Sequence, residues 1–281
     1  LSSVAKKMGK IAPIAIRFNP NVDAGVHEFT KTGRKSDKFG VSIKTAKSLI
    51  KKCNDSSSLN LVGLTCHIGS QVIELDSFED AAKQALDLLI ELDRLNIKID
   101  FIDMGGGLGV NYVGEETPQP FELIQSYENI FKGRNETLIL EPGRSISANA
   151  GIMLAKVEYK KDNFIITNAA MNDLLRPALY GAHHDVWPVV KNDNPSSYVN
   201  VVGPICETGD FLAKDINIAA SENDLLAVRT VGAYGSVMSS NYNSRPRAAE
   251  VLVDEKNVYL IRKREDNSSL TSLEEGLDDQ I

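Results

Sequence analysis

Cysteine is scarce in this sequence. Cys53, Cys66 and Cys206 are three in 281 residues, odd in number and widely separated. That excludes a disulfide framework and fits a reducing compartment. No Cys or His pair has the spacing of a structural zinc site, and the adjacent His183, His184 and Asp185 are too close in sequence to share one ion readily. No metal is therefore expected. There is no apolar run of membrane-helix length, and the opening LSSVAKKM lacks a basic start followed by an apolar stretch. Neither a membrane partner nor a signal peptide is expected. The basic excess of a nucleic-acid binder is also missing, since the formal net charge is −7. There are no internal repeats and no long low-complexity linker. The first residues lack a starting Met and read like the end of a helix, so the expectation is a sequence that starts inside a longer protein.

What is present is the composition of a soluble globular protein, with 42% hydrophobic and 25% charged residues, long enough for roughly two domains. The rhythm changes once. Up to about residue 150, strands and helices alternate. Apolar runs at 11–18, 59–66, 99–104 and 138–140 predict strands. Helical spacing covers 41–53 (Val41, Ile43, Ala46, Leu49, Ile50), a segment led by a capping box at Ser77 and Asp80 (Phe78, Ala81, Ala82, Ala85, Leu88, Leu89, Leu92, Leu95), and 121–131. This order implies parallel strands with helical crossovers. Each strand ends in a polar or glycine-rich cluster, at 17–23, 67–71, 103–109 and 141–145, as (β/α)8 barrels do at the C-terminal ends of their strands. About half such a barrel is represented, which again points to missing N-terminal sequence. From 151 to 281 short strands replace helices, at 152–159, 164–167, 198–202, 225–231, 248–253 and 258–261, with turns at 161–163 and 254–257. The fold class is thus α/β: residues 1–150 form part of a barrel and residues 151–281 a β-barrel or sandwich. The tail from Arg264 reads as a loose terminus or a short helix.

Several clusters carry chemistry. DMGGGLG at 103–109 follows a strand, and consecutive glycines let backbone approach a phosphate; a tight turn is the plain alternative. EPGR at 141–144 sets a carboxylate beside a guanidinium. Glu141 suits a protonated heterocyclic nitrogen, Gly143 permits close approach, and Arg144 grips a phosphate or carboxylate; taken alone, a capped turn with a surface ion pair explains it equally. CHIGSQ at 66–71 offers His67 for stacking on a flat cofactor and Ser70 with the Gly69 backbone for phosphate, although a lone histidine at a strand end is more often structural. CETGD at 206–210 pairs a proton donor with a carboxylate that holds an ammonium, the alternative being a buried apolar cysteine.

These segments, with RFNPNV at 17–22, KFGV at 38–41, GLTCHIGS at 63–70, NDLLRPALY at 172–180, GAYG at 232–235 and SNYNSRPR at 240–247, occur in the order seen in diaminopimelate decarboxylases. The chain resembles that family over nearly its whole length. The resemblance implies an alanine-racemase-like pyridoxal-phosphate (PLP) barrel joined to a β-domain. It implies that Gly105, Gly106, Gly107, Ser70 and Tyr234 hold the cofactor phosphate, that Glu141 faces the pyridine nitrogen and that His67 stacks on the ring. Arg144, Arg176, Tyr180 and Tyr234 would bind substrate, Cys206 would donate a proton and Glu207 would contact a substrate amine. In this family the last two reach a neighbouring subunit's site, so a homodimer is implied. The implied reaction is decarboxylation of meso-2,6-diaminopimelate to L-lysine, the last step of lysine biosynthesis, in the cytoplasm or an organellar stroma. Arg176 favours a substrate with a second carboxylate over the cationic substrates of ornithine- and arginine-type relatives.

One departure stands out. The family's Schiff-base lysine lies in a segment resembling FAVKAN, and no such segment is present; Lys6, Lys7 and Lys10 lie in another context. The expectation is a fragment of an active enzyme that is itself inactive and poorly soluble. The rival is a regulatory homologue that keeps the fold without the chemistry.

Overall fold

A computed structural model describes residues 1–27, 30–33, 37–191 and 195–276. Two units divide the chain, Leu1–Ile146 and Ser147–Ile281.

In the first unit, α1 (Ser2–Lys7) leads into β1 (Ala12–Asn19), whose even-numbered residues turn inward and bury Ile16 and Phe18. Next come β2 (Val41–Ser42) with α2 (Ile43–Asn54), β3 (Leu59–Thr65) with α3 (Leu75–Arg94), β4 (Phe101–Asp103) with α4 (Pro120–Ile130), and β5 (Thr137–Ile139). All five strands are parallel, in the order β2-β1-β3-β4-β5. Strand β1 lies between β2 and β3, and β3, β4 and β5 then follow one another in sequence order. Register aligns Arg17 with Thr65, Thr65 with Asp103, and Asp103 with Ile139. The polar clusters after β1, β3, β4 and β5 therefore leave the sheet at one edge.

The helices form for local reasons. The Ser42 hydroxyl accepts from the Thr45 N–H at 3.1 Å and starts α2. Pro120 opens α4, and the Glu122 carboxylate accepts from the Gln119 N–H at 2.6 Å. The expected capping box at Ser77 and Asp80 does not form. Helix α3 begins at Leu75, preceded by Glu74, so Ser77 already lies in its first turn. The stripe behind it behaves as its spacing requires. Phe78, Leu88, Leu89 and Leu92 pack with Phe18, Leu64 and Ile102 in one core.

The second unit holds α5 from its last residue, Ser147 (α5 is Arg144–Ser147), then β6 (Met153–Lys161), β7 (Phe164–Thr167), α6 (Arg176–Tyr180), β8 (Val186–Pro188), β9 (Ser197–Val202), β10 (Phe211–Ile218) and β11 (Leu225–Val228). These strands form one sheet in the order β10-β9-β7-β6-β11-β8, antiparallel except for the β7–β9 pair. Its two edge strands, β8 and β10, touch, so the sheet curls into a nearly closed barrel. Val157, Ile165, Leu174, Val201, Leu212 and Leu226 fill it. A hairpin, β12 (Glu250–Asp254) and β13 (Asn257–Arg262), and a short helix, α7 (Asn267–Thr271), follow. The tail from Arg264 thus contains a helix, while 277–281 lie outside the described residues. Among the described residues no helix is long and apolar enough to cross a membrane.

Candidate active site

In the first unit the strand ladder continues past the strand ends and draws three clusters together. The Cys66 N–H donates to the Asp103 carbonyl at 2.9 Å, the Met104 N–H to Ile139 at 3.0 Å, and the Glu141 N–H to Gly105 at 2.8 Å. The glycine loop is thereby set between His67 and Glu141. Its other side is pinned where the Val72 N–H donates to the Gly107 carbonyl at 2.9 Å. Gly105 has φ +69°, and a Cβ there would lie 2.6 Å from the Cys66 carbonyl oxygen; one on Gly106 would overlap the Glu141 carbonyl. Only glycine fits this approach.

His67 is half-buried, and its Nδ1 accepts from the Gly106 N–H at 3.1 Å. Burial, and after it the Arg17 charge, hold the imidazole below its ordinary pKa, against an opposing pull from Asp103. It is therefore neutral at neutral pH, with its proton on Nε2. The neighbouring Cys66 thiol is pushed up to about 12, first by burial, and is inert.

Arg144, buried at the start of α5, donates to the Tyr112 hydroxyl at 2.7 Å and to the Ser70 hydroxyl at 3.0 Å. Glu141 and Gly143 are exposed beside it. The first unit thus gathers His67, Ser70, Gly105, Gly106, Gly107, Glu141, Gly143 and Arg144. Tyr112 is a member that the sequence pattern did not single out; its one signal is an aromatic shortly after the glycine loop.

The second unit holds the remaining candidates. Arg176 opens α6 and is buried, donating from Nη1 to His184 Nε2 at 2.8 Å. His184 Nδ1 in turn donates to the Arg229 carbonyl at 2.9 Å. Tyr180 ends α6, closed by Gly181 at φ +60°. The adjacent His183 faces Asp185 at 3.3 Å, so the two histidines serve different partners.

Cys206 and Glu207 are exposed on a turn. The Asp210 carboxylate shapes that turn, accepting from the Ile205 N–H at 2.8 Å and the Met171 N–H at 2.7 Å. The Tyr242 hydroxyl donates to Glu207, and this bond, with the carboxylate charge behind it, raises the phenol pKa. Asn243 Nδ2 approaches Cys206 Sγ at 3.6 Å. Tyr242 also lines a cavity of about 420 Å³ with Met171, Asn172, Leu175 and Ser240. Tyr234 is 40% exposed and has φ +62°. Tyr242, Asn243 and His184 carried no assigned role in the sequence, although the first two sit in the SNYNSRPR segment.

Residues 1–148 match the family described as pyridoxal-dependent decarboxylase, pyridoxal binding domain. The chain belongs to this family. It is 49% identical to the diaminopimelate decarboxylase of Pseudomonas aeruginosa, covering 94% of this chain and 65% of that protein. It is 46% identical to that of Vibrio cholerae, over 99% of this chain and 68% of that protein. Its fold matches the crystal structure of Helicobacter pylori diaminopimelate decarboxylase complexed with L-lysine with a TM-score of 0.93 at 39% identity, covering 100% of this chain and 70% of that one. The chain thus spans about two thirds of the length of the curated relatives it matches.

The first unit of this pyridoxal-dependent decarboxylase chain fits its cofactor. A glycine loop without Cβ atoms leaves backbone open to a phosphate, and a buried guanidinium tied to a serine hydroxyl supplies positive charge. An exposed carboxylate 36 residues beyond the loop's first glycine, joined to it by a backbone hydrogen bond, suits a pyridinium nitrogen.

Proposed function

We propose that the full-length decarboxylase containing this chain converts meso-2,6-diaminopimelate to L-lysine and CO2, with PLP, in the cytoplasm. The observation that carries the choice of substrate is Arg176, a buried guanidinium held by a hydrogen bond to His184 within the segment that resembles the family. Such a group suits a substrate with a second carboxylate. The names of the relatives support the reading, as does L-lysine in the H. pylori complex, since lysine would be the product and keeps one carboxylate.

When bound, PLP supplies a ring that accepts the electrons left as CO2 departs. The chain's residues have separate tasks in this proposal. Ser70 and the loop of Gly105, Gly106 and Gly107, together with Tyr234, hold the phosphate. Glu141 keeps the pyridine nitrogen protonated, with Gly143 allowing its approach. His67 lies against the ring as a neutral imidazole, so it adds no charge there. Arg144, Arg176, Tyr180 and Tyr234 bind substrate carboxylates and Glu207 a substrate ammonium. Cys206 Sγ gives a proton to the carbon that has lost its carboxylate. Cys206 and Glu207 act in the site of a second copy, so the working form is a homodimer. Because no FAVKAN-like segment is present, the 281 residues alone are inactive in this reading.

The rival substrate is a purely cationic amino acid such as ornithine. Assaying the full-length protein with both decides between them. Turnover of diaminopimelate with little of ornithine is expected, and faster ornithine turnover overturns the proposal.

A further inference from the structure

The second unit contains a buried histidine to which the reaction outlined above gives no task. His184 is fully buried, at 0% exposure, eight residues beyond Arg176. Its two ring nitrogens have partners of fixed character. The Arg229 carbonyl can only accept, so Nδ1 carries the proton. Nε2 is then left as an acceptor, and a guanidinium is a donor on every nitrogen, which completes the second bond. A protonated imidazole would set an N–H against the guanidinium, so the pair selects the neutral ring. One end of the arrangement is backbone at Arg229, the residue that follows β11, and the other is the first residue of α6. The imidazole therefore ties the arginine to the barrel wall.

We propose that His184 is a positioning residue for recognition of the second substrate carboxylate: bonded to the Arg229 carbonyl on one side, it fixes the direction of the Arg176 guanidinium on the other. The inference rests on the proposal that Arg176 receives this carboxylate.

The test uses the full-length, PLP-loaded protein and two ligands that differ by one carboxylate, L-lysine and 1,5-diaminopentane, with affinities measured by equilibrium titration. His184→Asn keeps a donor toward the Arg229 carbonyl and removes the acceptor toward Arg176. It is expected to weaken L-lysine about tenfold or more, the scale of a hydrogen bond to a charged group, and to change 1,5-diaminopentane less than about threefold. His184→Gln, which restores an acceptor near the Nε2 position, is expected to recover most of the lysine affinity. Nitrogen NMR of the unaltered protein should show His184 as the neutral ring with its proton on Nδ1, a readout that needs no variant to fold. Equal weakening of both ligands by His184→Asn, unchanged lysine affinity, or a protonated His184 ring overturns the inference. Arg176→Gln separates the two levels. If it leaves the preference for lysine over the diamine intact, the substrate reading of Arg176 fails. If it abolishes that preference while His184→Asn does not, only the positioning role fails.

Discussion

His67 shows how a side chain's surroundings set its chemistry. Burial and Arg17 disfavour its charged form, and its Nδ1 accepts the Gly106 N–H, which the protonated ring could not do. The folded pKa thus lies below the unfolded value of 6.5. Below about pH 6.5 the unfolded chain takes up the proton first, so this group's contribution is fully present above that pH and is lost as pH falls toward the folded pKa. Denaturant unfolding of the full-length protein and of His67→Gln at pH 7.5 and 5.5 checks this. The wild type should lose more stability on acidification than the variant; parallel losses would show that His67 does not titrate as described. The sequence marked His67 as a strand-end residue with two readings, cofactor stacking or structural bonding. Its structural hydrogen bond to the glycine loop is now clear, and that bond depends on an approach between residues 39 apart that local pattern does not encode. Tyr112 was not singled out and His184 was weighed only as a metal ligand for the same reason, because the contacts of each are set by packing and not by a local run or spacing.

Elements with a strong period were legible. The apolar face of α3 appears in the sequence as a 3.6-residue stripe because one side of the helix must meet the sheet, and it does. Leu89, wholly buried on that face, is expected to cost about 2–5 kcal/mol on replacement by alanine, whereas its exposed neighbour Ile90 should cost under about 1 kcal/mol. Chemical denaturation of both variants measures the contrast, and equal losses would place the stripe wrongly. The start of α3 was misread because Ser-x-x-Asp spacing is a local signal, while the helix begins where Leu75 can already pack against the core. Strand β10 was missed for a different reason. Its pairing with β9 shifts register twice and Asp215 takes φ +51°, which breaks the two-residue alternation that identifies a strand. Strand β8, at three residues, is too short to have a period.

At the scale of the whole molecule, the proposed homodimer makes each site depend on two copies. In the full-length protein, mixing Cys206→Ala with a variant lacking its PLP-binding lysine should restore about a quarter of normal activity, since half of a random pool is mixed dimer with one intact site in two. No recovery in a pool verified to contain mixed dimers would count against sharing. The sequence by itself determined the parallel strand–helix order of the first unit, the change to strands in the second, and the residue types gathered after β1, β3, β4 and β5. Those features follow from local periodicity and from the few residues that turns and charged groups require. The tertiary structure alone decided which of them meet. Parallel register brings the strand ends flush, so Arg144 reaches Ser70 across 74 residues and Glu141 is bonded to Gly105. Burial then makes His67 neutral and gives Arg176 an imidazole for a partner, because desolvation and hydrogen-bond geometry arise only when distant segments pack.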